Sequence, residues 1–399
     1  MGFASGSVTF RRFAVVGQQP KRIEQEMLDK LSEHALRPGD VGVPEDVEYG
    51  WSGGRHVLDA NFSFEHNVFN DCVSCGMRVD TNKVPSSLVK AYQIIEEESV
   101  AAGNPSGFIS KQQKKEVKET IRKKVEHDLR SGRFRRSKLV PLLWDLPSGT
   151  IYTAAAGSAQ EQLMELFERT FSLQLAPLTA GSLAMRMLEP RGRRRDYEDF
   201  RPSRFVHGPG GESEWPQYPW AAKGPEPKDF LGDEFLLWLW HEADAKTGVI
   251  GTEQSGPVAG ADVTVYLDKS LDLDCAYGQS GKDSLRGAGP SHMPEAKDAL
   301  RSGKVPRKAG TVLVLNNQQF EFTWNPELMA LGSAKLPDVE EAETPRVLFE
   351  ERIALLRELC KATDALFDTF LRSRASSAWE SHTNAIRKWI MHPPKSAAA

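Results

Sequence analysis

Residues 110–138 read SKQQKKEVKETIRKKVEHDLRSGRFRRSK, a stretch that combines a helical pattern with many basic residues. Ser110 and Gln113 have the spacing of a capping box, which predicts a helix that runs to about Arg130 and stops near Gly132. Apolar residues recur at every fourth position, which gives a narrow ridge: Val117, Ile121, Val125 and Leu129. Because a buried helix needs a broader apolar face, most of this helix is expected to contact solvent.

Positive charge is concentrated in the same stretch. Residues 111–138 contain twelve Lys/Arg and four Asp/Glu, a local charge of +8, whereas the chain as a whole carries −4, so the remainder carries −12. This asymmetry predicts one polyanion-binding element on a body that otherwise repels DNA. The alternative is that these charges form an ordinary solvated helix face. Such a face usually contains matching acids at helical spacing, and few are present here. The candidate DNA-binding residues are Lys111, Lys114, Lys115, Lys118, Arg122, Lys123, Lys124, Arg130, Arg133, Arg135, Arg136 and Lys138.

A second helix is predicted just before this one. Pro85 can open it, and it continues to about Val100 with Leu88, Tyr92 and Ile95 on one face. Pairing of the two helices predicts a basic helical arm, residues 85–138, that projects from its domain.

The segment SGRFRRSK is expected at the end of the arm, with Phe134 flanked by arginines. Adjacent arginines cannot all be buried, so an exposed Phe134 ring could dock into a partner subunit or stack near DNA. The alternative is that Phe134 anchors the tip against its own helices.

The remaining patterns predict an α+β fold, in which a mixed-sheet domain carries the arm and is followed by a second α+β domain. The first domain is expected to comprise residues 1–84 and 139–188, and the second residues 228–399 with a long C-terminal helix. Residues 189–227, rich in Pro, Gly and Arg, are interpreted as a linker or insertion. Within the first domain we expect a strand at 7–15, a helix at 21–36, strands near 56–65 and 67–79, a hairpin at 138–156 and a helix from 159 to about 173.

A second basic run lies within residues 189–227 and is interleaved with Tyr197, Phe200 and Phe205. Such a mixture is typical of adaptable nucleic-acid-binding segments. Three acids in the same run favour the alternative, a loop bonded to its own domain. The possible secondary DNA contacts are Arg191, Arg193, Arg194 and Arg195.

Several motifs follow one another along the chain: Gly50-Trp51, VPSSLVKAYQIIEE, the Lys-rich helix with its basic-flanked aromatic, LLWDLPSGTIYTA, and LQLAPL. Their order resembles that of the RdgC family of recombination-associated proteins. Weaker similarity continues through DALRSGKVPRKAGTVLVLNNQQFEFTWN and the final long helix, so it spans most of the chain. Residues 189–224 look inserted relative to shorter members. Ala288-Gly289 stands where members of the family carry a basic-polar pair, which contributes to a second contact between the subunits of their ring. The prediction that the ring closes at this contact is therefore left open for this chain.

The resemblance implies a nucleoid-associated protein that binds double-stranded DNA with little sequence preference. It also implies a ring-shaped homodimer that encircles duplex and limits recombinase access to it. An aromatic at the tip of the arm contributes to dimer closure or DNA contact in that family, and Phe134 is the expected match.

Composition and motifs narrow the other possibilities. No apolar run is long enough to span a bilayer and no signal-peptide core follows the start, which predicts a cytoplasmic protein. Cys72 and Cys75 are interpreted as strand residues rather than a redox or metal pair. No nucleotide-binding or histidine metal motif occurs, so no cofactor, metal or catalytic residue is predicted.

Two rival functions remain open at this point. A Mg²⁺-dependent exonuclease would need placed carboxylates, and the nearest candidates are Asp59, Glu65, Asp71, Asp80 and the stretch 268–274. The other rival is an interaction protein whose arm pairs with an acidic protein partner.

Overall fold

The computed structural model describes residues 2–37, 47–105, 107–218, 220, 228–245, 248–251, 262–278, 281–339 and 342–392. This part of the chain has an α+β fold with antiparallel strand pairing. The strands are β1 (Val8–Val16), β2 (Val47–Ser52), β3 (Val68–Phe69), β4 (Cys72–Asn82), β5 (Arg135–Asp145), β6 (Thr150–Thr153), β7 (Gln174–Pro177), β8 (Val249–Gly251), β9 (Asp262–Cys275), β10 (Lys282–Gly287), β11 (Lys304–Leu315), β12 (Gln318–Asn325) and β13 (Ala330–Lys335).

Helices occupy most of the remaining described residues, together with short 3-10 turns. The α-helices are α1 (Gln25–Glu33), α2 (Phe64–Asn67), α3 (Ser86–Ala102), α4 (Lys111–Arg130), α5 (Ser158–Phe171), α6 (Ala180–Leu188), α7 (Arg194–Asp199), α8 (Phe230–Ala245), α9 (Pro294–Arg301), α10 (Pro345–Arg374) and α11 (Trp379–Met391).

One compact unit comprises residues 1–16, 149–154 and 175–399. Its strands follow the order β10-β9-β11-β12-β13-β1-β6, and each neighbouring pair is antiparallel. Residues Phe230–Glu242 of helix α8 are all buried, in keeping with apolar residues around its whole circumference. Its Phe235 ring makes edge contacts with Trp324 of β12 and Phe367 of α10, with centroids 5.0 and 5.4 Å apart. The core of this unit therefore lies between its sheet and the two long helices.

The second compact unit comprises residues 17–148 and 155–174. Strands β5, β4 and β2 pair in that order, and β3 pairs with the start of β4. Trp144 of β5 contacts Phe167 and Phe171 of α5, with ring centroids 5.0 and 5.1 Å away. The indole of Trp51 donates a 2.8 Å hydrogen bond to the Thr170 hydroxyl, which satisfies a buried N–H.

Several predicted elements of this unit need correction. Residues 56–65 form no strand. They belong to a loop and to the start of α2, where Asn67 donates hydrogen bonds to the carbonyl oxygens of Gly53 and Ser74. The first helix is also shorter than predicted, because α1 covers only Gln25–Glu33. Cys72 and Cys75 do lie in a strand, as predicted, and both are buried.

The stretch interpreted as a linker or insertion contains more order than its composition suggests. Helix α7 lies within it, and four of its aromatic residues are buried: Tyr197, Phe200, Phe205 and Tyr218. Within this stretch the structure describes residues 189–218 and 220. Residues 221–227 lie outside the described residues.

The division into two units differs from the domain boundaries expected from the sequence, which stay a prediction. Strand β1 belongs with the C-terminal unit because it pairs with β13, with Val8 opposite Ala334. Strand β6 follows it, because Phe13 of β1 lies opposite Ile151. Among the described helices, none combines the length and apolar character needed to cross a membrane.

Candidate nucleic-acid interface

The predicted arm is a pair of helices inserted between two paired strands. Helix α3 begins shortly after β4 ends, and α4 ends shortly before β5 begins. The pairing of β4 with β5 runs from Cys72 opposite Asp145 to Asn82 opposite Arg135. The last pair of this ladder therefore marks the base of the arm, and the loop between α3 and α4 is its distal end.

The two helices of the arm are joined by a few specific contacts. The Tyr92 hydroxyl donates a 2.8 Å hydrogen bond to the carboxylate of Asp128, which raises the pKa of Tyr92. The Lys124 ammonium lies 4.3 Å from the centroid of the same ring. Val117 and Ile121 are the buried apolar residues of α4, whereas α3 has none. The ridge predicted for α4 is therefore buried at Val117 and Ile121, whereas Val125 and Leu129 are partly exposed.

Helix α4 begins at the predicted cap. The Ser110 hydroxyl accepts a hydrogen bond from the Gln113 backbone N–H, and the Gln113 side chain accepts one from the Ser110 backbone N–H. The side chain of Asn104 pairs with that of Gln113 and also donates to the Phe108 carbonyl oxygen at 2.7 Å. These bonds fix the start of α4 to the distal loop.

Five cations form one exposed stripe along α4. At about 100° per residue, their positions fall within one third of the helix circumference, and the stripe is about 16 Å long. Only the fifth has an ion pair among the described residues, a 3.1 Å contact of Arg122 with Glu119. We call these residues the basic stripe: Lys111, Lys114, Lys115, Lys118 and Arg122.

The other predicted cations of the arm differ in how they are engaged. Arg130 forms a 2.6 Å ion pair with Glu126, and Lys124 is held against Tyr92. Lys123 is exposed, as are Arg133, Arg136 and Lys138 at the base. Five of the candidate DNA-binding residues therefore form the stripe on α4 and others lie at the exposed start of β5, whereas Lys123, Lys124 and Arg130 lie on α4 outside the stripe.

Strand geometry divides the cations at the start of β5. Side chains of a strand alternate between the two faces of its sheet, so Arg136 and Lys138 share one face and Arg135 points to the other. The Arg135 guanidinium contacts Glu48 at 2.6 Å and Asp80 at 2.9 Å. Of these three basic side chains, Arg135 alone lies against carboxylates among the described residues.

The expected position of Phe134 at the tip is wrong. Phe134 immediately precedes β5 and lies at the base of the arm, because Arg135 pairs with Asn82 at the end of the β4 ladder. Its ring is partly buried, and the Arg133 guanidinium lies 5.6 Å from its centroid. The basic segment follows a long helix, and the sequence pattern does not show in which direction that helix runs. Helix α4 runs back toward the sheet, so the segment after it lies at the base of the arm.

The aromatic residue of the distal loop is Phe108, whose surface is 81% exposed. Sequence reasoning missed it. The signal was present, since the break Gly103-Asn104-Pro105 between two predicted helices must form the turn of a helical hairpin. An aromatic residue five positions from the start of that break belongs to the distal end.

The second basic run is largely engaged by acids of its own unit. Arg191 contacts Asp368 at 2.5 Å, and Arg193 contacts Asp196 at 2.6 Å. Arg194 pairs with both Glu189 and Glu198. Arg195 is exposed. These ion pairs favour the alternative in which this run is bonded to its own domain. DNA contact by these arginines stays a prediction.

The carboxylates considered for a nuclease site take part in structural bonds. Asp59 accepts two hydrogen bonds from the Arg55 guanidinium, and Asp80 accepts two from Arg78. Asp268 accepts one from the Gly289 backbone N–H. Among the described residues, no group of three or more His, Cys, Asp or Glu is arranged to hold a metal ion.

Comparison with known proteins adds no assignment. No protein-family model matches the chain, and no curated protein matches it.

Proposed function

We propose that this protein binds double-stranded DNA with little sequence preference, through the basic stripe and the exposed cations at the start of β5. The observation that carries the proposal is the stripe, in which Lys111, Lys114, Lys115 and Lys118 are exposed and form no ion pair with a described residue. Lysines arranged in this way neutralise phosphates and release counterions, which supplies affinity that does not depend on sequence.

The proposed activity is occupancy of DNA rather than chemistry on it. The carboxylates that a Mg²⁺-dependent nuclease would use are bonded to arginines and backbone N–H groups, as Asp59 and Asp80 illustrate. The rest of the chain carries net negative charge, which favours contact of DNA with the arm over the body.

The resemblance to the RdgC family supports a wider proposal. We propose a homodimer that encloses duplex DNA, is associated with the nucleoid in the cytoplasm, and limits recombinase access by competing for DNA. The resemblance matches the family's tip aromatic to Phe134, whereas the exposed aromatic residue of the distal loop is Phe108. We propose that Phe108 makes a contact between subunits, because its ring is 81% exposed at the end of the arm and aromatic residues are enriched at protein interfaces.

The proposal is tested by replacing Lys111, Lys114, Lys115 and Lys118 together with Gln. We expect weaker binding to every duplex sequence, and a salt dependence flattened by about 0.9 log units per log unit of salt for each phosphate that the variant no longer neutralises. A matched variant removes the same charge from four exposed lysines outside the arm: Lys21, Lys308, Lys361 and Lys388. Equal loss of affinity in both variants, or unchanged binding in the first, would overturn the proposal.

A further inference from the structure

The base of the arm contains a network of two arginines and two carboxylates. Asp80 is 3% exposed and accepts hydrogen bonds from Arg78 at 2.8 and 2.6 Å. The Arg135 Nε donates to the same carboxylate at 3.0 Å, and Arg135 also contacts Glu48 at 2.6 Å. Ser137 lies 3.5 Å from the Arg78 guanidinium. This network joins β2, β4 and β5 where the arm leaves the sheet.

The network has no net charge, so it offers a DNA phosphate little attraction. To bind a phosphate, Arg135 would have to leave Glu48 and Asp80, and the buried Asp80 carboxylate would then lose one of its two charged partners. Burial opposes ionisation of Asp80, but hydrogen bonds from Arg78 and Ser137 and the charges of Arg78 and Arg135 lower the pKa of Asp80 overall. Asp80 is therefore ionised at neutral pH and depends on both arginines.

Arg135 lies at the point where the chain returns from the arm to the sheet. Arg135 lies opposite Asn82, and these two residues are the last pair before the chain enters α3 and after it leaves α4. Asn82 in turn donates a hydrogen bond to the Leu129 carbonyl oxygen in the last turn of α4. A change in how Arg135 is held would alter the direction in which both helices leave the sheet.

We infer that Arg135 is a positioning residue for the basic stripe, which holds the base of the arm through Glu48 and Asp80 and does not itself contact DNA. The inference rests on the proposed function, since it assigns a role in presenting the stripe. The inference gives Arg135 and Arg136 different roles. Arg136 lies on the other face of β5, forms no ion pair with a described residue, and is kept as a proposed DNA contact.

The test compares Arg135→Gln with the matched variant Arg136→Gln in duplex binding across a salt series. Arg135→Gln should weaken binding by about fivefold with an unchanged salt slope, as expected for a coupling effect. Arg136→Gln should instead flatten the slope by about 0.9. Arg135→Lys, which keeps one charged donor, should recover part of the affinity. If Arg135→Gln flattens the slope as Arg136→Gln does, or leaves affinity unchanged, the inference is wrong.

A second measurement does not depend on DNA. Amide hydrogen exchange of the unbound protein should become faster around residues 82–86 and 129–135 in Arg135→Gln and in Glu48→Gln, and should stay unchanged in Arg136→Gln. Exchange that is unchanged in Arg135→Gln would overturn the inference. If the wild-type protein binds no DNA while this exchange pattern is observed, the proposed function fails and the mechanical role of Arg135 stands by itself.

Discussion

The side-chain amide of Asn82 donates a 2.9 Å hydrogen bond to the backbone carbonyl oxygen of Leu129, which ties the end of β4 to the last turn of α4. Asn82 is 4% exposed, so this bond is made in a buried position at the base of the arm. This bond should therefore stabilise the attachment of α4 to the sheet.

Replacing Asn82 with Ala should destabilise the protein by about 1 kcal/mol, because the Leu129 carbonyl would lose the Asn82 amide and keep the Gly132 backbone N–H. Denaturant unfolding measures the loss, and hydrogen exchange should localise it to residues 127–135. An unchanged free energy of unfolding, or faster exchange spread evenly over the chain, would contradict this role of Asn82.

The capping box predicts a local effect at the start of α4. Ser110→Ala should cost about 1 kcal/mol, since the Gln113 backbone N–H loses its acceptor. Exchange of the first-turn amide groups should become faster. Gln112→Ala, a change at an exposed neighbouring position outside the cap, is the control and should leave these amides as they are. Similar exchange in both variants would show that the cap does not hold this helix end.

Phe108 and Phe134 should behave differently when each is replaced by Ala. Phe108 is 81% exposed, so its loss should leave thermal stability nearly unchanged while weakening self-association of the protein. Phe134 is partly buried, so its loss should lower stability and affect self-association less. Sedimentation velocity over a concentration series, together with thermal unfolding, distinguishes the two. Weakened association in Phe134→Ala alone would restore the role that the sequence suggested.

Asp233 predicts a pH dependence of stability that is independent of DNA. Burial and the nearby charge of Glu327 raise the pKa of Asp233 well above its ordinary value, although Arg307 and the Trp220 indole act in the opposite direction. The folded protein therefore binds this proton more tightly than the unfolded chain does. Its contribution to stability is fully present below the ordinary aspartate pKa of about 3.9 and is lost as pH rises toward the folded value.

The measurement is the difference in free energy of unfolding between Asp233→Asn and the wild-type protein. Because Asn cannot ionise, the variant should gain stability relative to the wild-type protein as pH rises from about 4, the ordinary aspartate pKa, toward the raised pKa of Asp233. A difference that is constant over this range, or that changes in the opposite direction, would show that Asp233 is ionised in the folded protein.

The sequence predicted local features of the arm well. The cap at Ser110, the ridge through Val117 and Ile121, and the exposed cations follow from helical periodicity and charge, which depend on neighbours within one or two turns. Where a short stretch decides its own conformation, pattern and structure agree.

What the sequence could not predict depends on distant residues. The pairing of Val8 with Ala334, the engagement of Arg135 by Glu48, and the burial of Asp233 join parts of the chain that no local pattern connects. The error over Phe134 is of the same kind, since the direction of the arm is set by the register of β4 against β5.

The most direct test of the central claim is fluorescence-anisotropy binding of duplexes with unrelated sequences to the wild-type protein, across a salt series, with and without Mg²⁺, while the DNA length is checked. We predict similar affinity for every duplex, a steep loss of affinity as salt rises, and DNA that stays intact. Absence of binding at low salt, or shortening of the DNA only when Mg²⁺ is present, would contradict the account.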